Sequence, residues 1–157
     1  MISEVYRKGR DAKEASYVLQ TAGTDVKNKA LAYIADALMA HSDAILSANA
    51  EDLKRAKEKG MAPAMVDRLT LTKERISAMA EGVRQVIDLR DPSGIVLDEF
   101  TRPNGLAIKK VSVPLGVIAI IFESRPNVTV DAAACASKPA TPASSAAAVK
   151  PSPPIRP

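Results

Sequence analysis

Apolar side chains recur every three or four positions through the first half of the chain, and this spacing places them on one face of an α-helix. Helices are therefore predicted over 2–23, 24–41, 42–60, 62–69 and 73–90. Thr24 and Thr72 stand at the start of two of these segments, where a threonine hydroxyl can accept a hydrogen bond from a free backbone N–H and act as N-cap. Asp91-Pro92 ends the last helix, because the residue before a proline is driven out of the helical conformation.

Two of these helices carry a well-defined apolar stripe, which predicts the side that faces a protein core. The stripe residues are Val26, Leu31, Ile34 and Leu38 in the second helix, and Ile76, Met79, Val83 and Ile87 in the fifth. Together the five helices define a predicted N-terminal helical region over residues 1–92.

The pattern changes after Gly94, where two β-like runs flank the stretch RPNG. Asn104-Gly105 is a strong signal for a tight turn, so a β-hairpin is predicted over residues 93–114.

The run VIAIIF, from Val117 to Phe122, is continuously apolar and rich in β-branched residues. Such a run is typical of a strand that is buried on both faces of a parallel sheet. The segment VTVDAAA after it favours a helix, so residues 115–134 are predicted to open a Rossmann-like parallel sheet with its first βα unit. The predicted fold class is α/β, with a helical region, a hairpin and a sheet that is truncated because no second strand of this kind follows.

Composition and charge narrow the class of protein. Apolar residues make up 46% of the chain and aromatic residues only 3%, so the predicted core is aliphatic. Lys138, Lys150 and Arg156 supply three units of the net charge of +4, since no acidic residue follows Asp131. The basic character belongs to the C-terminal segment, and no nucleic-acid partner is expected.

The N-terminus lacks a signal-peptide pattern and the longest apolar run is too short to span a bilayer, so a cytoplasmic protein without membrane contact is expected.

Few side chains in this sequence offer catalytic chemistry. His41 is the only histidine and is expected at a helix end. Cys135, the only cysteine, has no basic neighbour in a segment predicted to be structured, so nothing is expected to activate its thiol. One histidine and one cysteine do not make a metal site, so no metal is predicted.

The loop FESRPNV offers more, because it follows the predicted buried strand and carries Glu123, Arg125 and Asn127. Open α/β sheets bind their ligands at the carboxyl ends of the strands, which predicts a binding loop here. The alternative is a structural loop whose polar groups are satisfied by its own backbone.

Several stretches resemble those of one enzyme family. They are AKEASYVL, ILSANAEDLKRAKEKGM, AMVDRLTLTKERI, VRQVIDLRDPSG and VPLGVIAIIFESRPNVTVDAAA. In this order they are similar to gamma-glutamyl phosphate reductases, also called glutamate-5-semialdehyde dehydrogenases, which belong to the aldehyde dehydrogenase superfamily. The resemblance covers residues 1 to about 134, and its most family-specific motifs are DRLTLT and ESRPNVTVD.

The resemblance implies an aldehyde-dehydrogenase-like fold and the NADPH-dependent reduction of L-glutamyl 5-phosphate to L-glutamate 5-semialdehyde and phosphate, a step of proline biosynthesis. In the family a cysteine carries the acyl group as a thioester, and nothing in this chain matches that cysteine. By the same resemblance Asn127 supports the oxyanion, Phe122, Glu123 and Ser124 line the cofactor side, and Arg125 binds the anionic substrate. The hairpin would serve subunit contacts, so the intact enzyme is expected to be a homo-oligomer.

The family pattern stops after Ala134. Residues 135–157 contain six prolines and are otherwise rich in alanine and serine. This composition breaks helices and central strands and buries too little apolar surface to offset the entropy of ordering, so a disordered tail is predicted. One interpretation is a helical interaction module with a proline-rich ligand tail, and another is a basic nucleic-acid binder.

A reading-frame error is a more specific hypothesis for the origin of residues 135–157. When each new codon takes the third base of one present codon and the first two bases of the next, allowed codons give Cys-Leu-Lys-Ala-Gly-Asn-Ala-Cys-Ile-Leu-Arg-Gly-Gly-Ser. This is closely similar to the family's own continuation, and one base lost from a leucine codon between Ala134 and Cys135 accounts for it. The hypothesis makes the chain an inactive fragment in which Cys135, Lys138 and Arg156 have no selected role.

Overall fold

The computed structural model describes residues 4–123 and 125–139 and the backbone of 143–145. Its helices are α1 (Glu4–Thr21), α2 (Thr24–Ala40), α3 (Ser42–Glu58), α4 (Pro63–Leu69), α5 (Lys73–Asp88) and α6 (Pro126–Ser137). Its strands are β1 (Val96–Thr101), β2 (Ala107–Val111), β3 (Ile118–Ile120) and β4 (Ala143–Ser145). The predicted α/β class is confirmed, and so are the helices and the hairpin.

The core lies where α2 packs against α5 and where α6 packs against both. Its buried residues are Leu31, Ala35, Ala80, Val83 and Ala134. Alanines at these positions let the helix axes approach closely, because helix spacing depends on the side chains at the contact. The predicted stripe of α5 is confirmed, since Ile76, Met79 and Val83 are all buried.

Two positions of the predicted α2 stripe are wrong, Val26 and Ile34, and Ile34 is 38% exposed. Val26 is 63% exposed, and the next residue, Lys27, is buried instead. The Lys27 ammonium pairs with the Asp91 carboxylate, and the two side chains are only 4% and 11% exposed. The aliphatic stem of a lysine packs as an apolar side chain does, so a distant acid is enough to place it inside. The spacing of apolar residues within α2 does not predict the burial of Lys27, because its partner Asp91 lies beyond the end of α5.

The two predicted N-caps have different outcomes. Thr72 is confirmed, because its hydroxyl accepts a hydrogen bond from the Arg75 N–H at 3.2 Å. Thr24 is not a cap: Gly23 holds that position, and Thr24 is the first residue of α2. The Thr24 hydroxyl instead donates to Asp91 Oδ2 at 3.0 Å, so the long-range acid takes the group that would have capped the helix.

The hairpin forms as predicted, with β1 and β2 antiparallel. Gly105 has φ 84, a conformation that glycine adopts at little cost, and its N–H donates to the Arg102 carbonyl at 2.9 Å. Asn104 Oδ1 accepts from the Leu106 N–H at 3.2 Å and closes the turn. Most side chains of both strands are exposed, so the hairpin lies outside the helical core.

The prediction of a strand buried on both faces is wrong. Only Ile118–Ile120 form β3, and Ile121 is 94% exposed. In the described part of the chain β3 pairs with one strand only, the parallel β4, so no second neighbour covers it. The expectation of a single strand is also wrong, because β3, α6 and β4 together form a parallel βαβ unit. Helix α6 runs to Ser137, past the expected boundary at residue 134.

We expect the Lys27–Asp91 pair to be a main determinant of stability. Asp91→Asn should lower the free energy of unfolding by about 3 kcal/mol at neutral pH, because it leaves a buried ammonium without a countercharge. Urea unfolding followed by circular dichroism measures this, with the exposed Glu81→Gln as control. Adding Lys27→Met to Asp91→Asn should recover most of the loss, and a double variant as unstable as the single one would contradict the assignment.

The same pair predicts the pH dependence of stability. Burial alone would raise the pKa of the Asp91 carboxyl, but hydrogen bonds from Lys27, the Ser93 N–H and the Thr24 hydroxyl outweigh it, so this pKa lies below its ordinary value. A lowered pKa in the folded state stabilises the protein above the unfolded pKa of about 4, and this stabilisation is lost as pH falls further. The unfolding free energy of Asp91→Asn should therefore change less than that of the parent chain in urea titrations below about pH 4.

Candidate functional site

A groove of about 490 Å³ lies between two parts of the chain that are distant in sequence. One wall is the end of α4, the following turn and the start of α5, and the other is Arg125 with the first two turns of α6. The lining residues are Asp67, Arg68, Thr70, Leu71, Arg75, Ala78, Met79, Arg125, Pro126, Asn127 and Asp131. The motifs DRLTLT and ESRPNVTVD thus line one groove.

The buried amide of Asn49 in α3 holds the turn of the first wall. Asn49 Nδ2 donates to the Leu69 carbonyl at 2.9 Å, and Asn49 Oδ1 accepts from the Leu71 N–H at 2.8 Å. Two opposed hydrogen bonds from one planar amide fix the backbone at both ends of Thr70. The turn is therefore held by a residue that does not itself line the groove.

Arg75 in the first turn of α5 ties the same turn from the other side. Its Nη1 donates to the Asp67 carbonyl at 2.7 Å and to the Thr70 carbonyl at 2.6 Å. Its Nη2 contacts Asp67 Oδ1 at 3.3 Å. All of these acceptors belong to the α4–α5 turn, so Arg75 serves the local structure of the wall.

The second wall follows β3. Pro126 begins α6 at a position where a missing N–H costs nothing, and Arg125 stands at the N-cap. Asn127 Nδ2 donates to Asp131 Oδ2, one helical turn further on, at 3.3 Å. The side chains of Arg125 and Asn127 are exposed at the groove.

The residues predicted for the site have different outcomes. The structure brings Arg125 and Asn127 into the groove. Phe122 is half-buried and Glu123 is exposed, and among the described residues neither belongs to the groove lining. Ser124 lies outside the described residues. The chemical roles expected for these five residues stay predictions.

Sequence reasoning missed the whole first wall, including Arg68 and Arg75. The signal was the family-specific motif DRLTLT, which supported the resemblance but was not considered for binding. Asn49 had no comparable signal, because a polar residue in an amphipathic helix shows its long-range partner only in the folded chain.

The groove carries an excess of positive charge. Arg75 pairs with Asp67, whereas Arg68 and Arg125 form no ion pair with any residue that the structure describes. Asp131 is the remaining acid of the lining and accepts the Asn127 amide. Two guanidinium groups without a carboxylate partner make the groove suited to an anion. Within the described ranges no group of acids, histidines or cysteines is arranged to hold a metal ion, and no helix is long and apolar enough to cross a membrane.

Two solved structures share this fold. The crystal structure of gamma-glutamyl phosphate reductase from Thermotoga maritima matches with a TM-score of 0.88 and 42% identity, over 90% of this chain and 34% of that protein. The crystal structure of gamma-glutamyl phosphate reductase from Saccharomyces cerevisiae gives a TM-score of 0.84 and 35% identity, over 91% of this chain and 36% of that protein. The chain is therefore an α/β protein whose fold is similar to about a third of each of these two structures.

The curated relatives that match this chain carry the same name. Gamma-glutamyl phosphate reductase from Anoxybacillus flavithermus is 48% identical over 137 residues, 87% of this chain and 33% of that protein. The reductase of the same name from Lachnospira eligens is 56% identical over 124 residues, 79% of this chain and 30% of that protein. No protein-family model matches the sequence. Over most of its length the chain is homologous to gamma-glutamyl phosphate reductase, and it spans about a third of the length of these relatives. The resemblance found in the sequence is confirmed.

We expect Asn49→Ala to lower the free energy of unfolding by about 2 kcal/mol, because it leaves the Leu69 carbonyl and the Leu71 N–H without their partner. Urea unfolding measures this loss. The matched control is Gln20→Ala, which removes an exposed amide from α1 and should change stability by less than about 0.5 kcal/mol. Equal effects of the two variants would contradict the role of Asn49.

Proposed function

We propose that this chain is the N-terminal part of an enzyme that reduces L-glutamyl 5-phosphate to L-glutamate 5-semialdehyde and phosphate with NADPH. The observation that carries the proposal is the groove, whose two walls are the most family-specific motifs and whose Arg68 and Arg125 lack a carboxylate partner among the described residues. The substrate has a carboxylate and an acyl phosphate, and guanidinium groups bind both kinds of anion through paired hydrogen bonds.

Arg125 is proposed to bind the anionic substrate, and Asn127 to stabilise the oxyanion. The Asn127 amide stands on the first helical turn of α6, where backbone N–H groups and the helix dipole also favour negative charge. An amide donor aimed at a developing oxyanion stabilises the transition state more than the ground state. Asp131, which holds the Asn127 amide at 3.3 Å, would orient it.

Phe122, Glu123 and Ser124 are proposed to line the cofactor side of the site. The parallel β3–α6–β4 unit is the part of this chain that fits a dinucleotide, because ligands of such sheets lie beyond the carboxyl ends of the strands. NADPH, when bound, would supply the hydride. We propose that this unit opens the Rossmann-like sheet of an aldehyde-dehydrogenase-like fold, after a helical region over 1–92 and a hairpin over 93–114.

The chain as printed is proposed to be inactive. Cys135 is exposed near the C-terminal end of α6, and it is not among the described residues that line the groove. This position of Cys135 supports the proposal that the groove has no nucleophile among the described residues. In the intact enzyme a cysteine outside this chain would form the thioester.

A shifted reading frame is proposed as the origin of residues 135–157. Strand β4 supports this proposal, because Ala143–Ser145 pair with β3 in parallel although alanine and serine are weak strand formers. In the alternative frame the same three positions become Cys-Ile-Leu, which suits a strand of a parallel sheet. The backbone therefore places a strand where the shifted codons would encode one.

The hairpin is proposed to form subunit contacts in a cytoplasmic homo-oligomer. Its strands and the segment after them expose large apolar side chains, among them Leu97 at 59% and Val113 at 75%. Apolar groups exposed on a projecting ribbon favour association with a partner surface.

We expect the chain ending at Pro157 to have no reductase activity, and the gene with one base restored before codon 135 to encode an active enzyme. In that enzyme Arg125→Ala should raise the KM for the anionic substrate about tenfold or more, because a charge-assisted contact is lost. The assay follows NADP⁺ reduction by glutamate 5-semialdehyde with phosphate, the reverse reaction. Arg7→Ala on α1 is the control, and turnover by the unrestored chain would contradict the proposal.

A further inference from the structure

Lys138, which directly follows α6, occupies a buried position in the folded chain. The residue is only 3% exposed. It is buried although it belongs to residues 135–157, whose composition predicts a disordered tail. The Lys138 Nζ donates to Asn28 Oδ1 at 2.6 Å and to the Ile87 carbonyl at 2.7 Å. One ammonium therefore joins α6 to α2 and to the last turn of α5.

The electrostatic surroundings suit a cation at this position. Ile87 lies in the last turn of α5, and Lys138 itself caps the C-terminal end of α6. Helix C-termini carry partial negative charge and unpaired carbonyls, which stabilise a nearby cation. No carboxylate pairs with Lys138 in the described part of the chain, so the two acceptors and the helix ends compensate the burial of its charge.

The genetic code states the condition under which the two reading frames share this lysine. In the shifted frame the residue that replaces Lys138 is built from the third base of codon 137 and the first two bases of codon 138. With TCA for Ser137, this triplet is AAA and again encodes lysine. Because one lost base leaves the number of positions unchanged, this lysine occupies the same place in both frames.

We infer that Lys138 is a residue of the unshifted protein that survives the change of frame, and that it is the positioning residue that fixes α6 and the Arg125–Asn127 turn at its start. The inference rests on the proposed frame change and differs from the expectation that Lys138 has no selected role. The same buried contacts would form in the intact enzyme, where the groove needs both walls at a fixed separation.

Sequencing the gene across codons 134–140 tests the shared lysine. We expect TCA at codon 137. The codon TCG would place glutamate at this position in the restored frame, TCC or AGC would place glutamine, and TCT or AGT would place a stop, and each of these results overturns the inference. The reductase assay above is independent, since an inactive restored enzyme with TCA at codon 137 would refute the proposed function alone.

Hydrogen exchange on the chain as it exists tests the positioning role. In Lys138→Met the backbone amides of residues 130–137 should exchange at least tenfold faster, whereas Lys54→Met, which removes an exposed lysine of α3, should leave them unchanged. Asn28→Ala should act in the same direction, and the double variant should be no faster than Lys138→Met alone, because both changes remove one contact. Unchanged exchange in Lys138→Met, or additive effects of the two variants, would overturn the role.

Discussion

The packing of α5 against α2 and α6 is the contact on which the rest of the structure depends. Ala80 and Val83 of α5 form one buried cluster with Leu31 and Ala35 of α2 and with Ala134 of α6. The two walls of the groove are the start of α5 and the start of α6, so their separation is set by this contact. Small side chains at a helix contact leave little freedom for a shift, because packed interiors respond to a change of even one methylene.

Much of the fold follows from local pattern. The stripe of α5, the Thr72 cap and the Asn104-Gly105 turn each depend on residues within a few positions of one another, and each was predictable. The features that the sequence did not show are polar contacts between distant positions: Lys27 with Asp91, and Asn49 with the turn after Leu69. Periodicity identifies an apolar face but does not show which polar group has a buried partner elsewhere in the chain.

The two walls of the groove also differ in whether the sequence predicts them. Its second wall was predictable, because a loop after a strand of an α/β sheet is a general location for ligands. Its first wall was not, because the α4–α5 turn follows helices and has no general association with binding. The two walls meet through α5 and α6, whose shared contact at Ala134 is a property of the fold and of no local segment. The sequence therefore predicts only the second wall, because the rule that ligands bind after the strands of an α/β sheet applies to that wall alone.

Under the proposed frame change, some features of the structure depend on the number of residues along the chain, and others depend on which side chains those residues carry. A lost base changes side chains and leaves the count of positions intact, so α6 and β4 keep their places along the chain. Helix α6 continues to Ser137 because alanine and serine still allow a helix, and β4 pairs through its backbone. What does not survive is the apolar surface that would cover β3, which leaves Ile121 exposed. On the inference above Lys138 is the exception, because TCA at codon 137 would give lysine in both frames. The site thus keeps its geometry as far as α6 supports it, while the sheet that would complete it lacks the residues for a core.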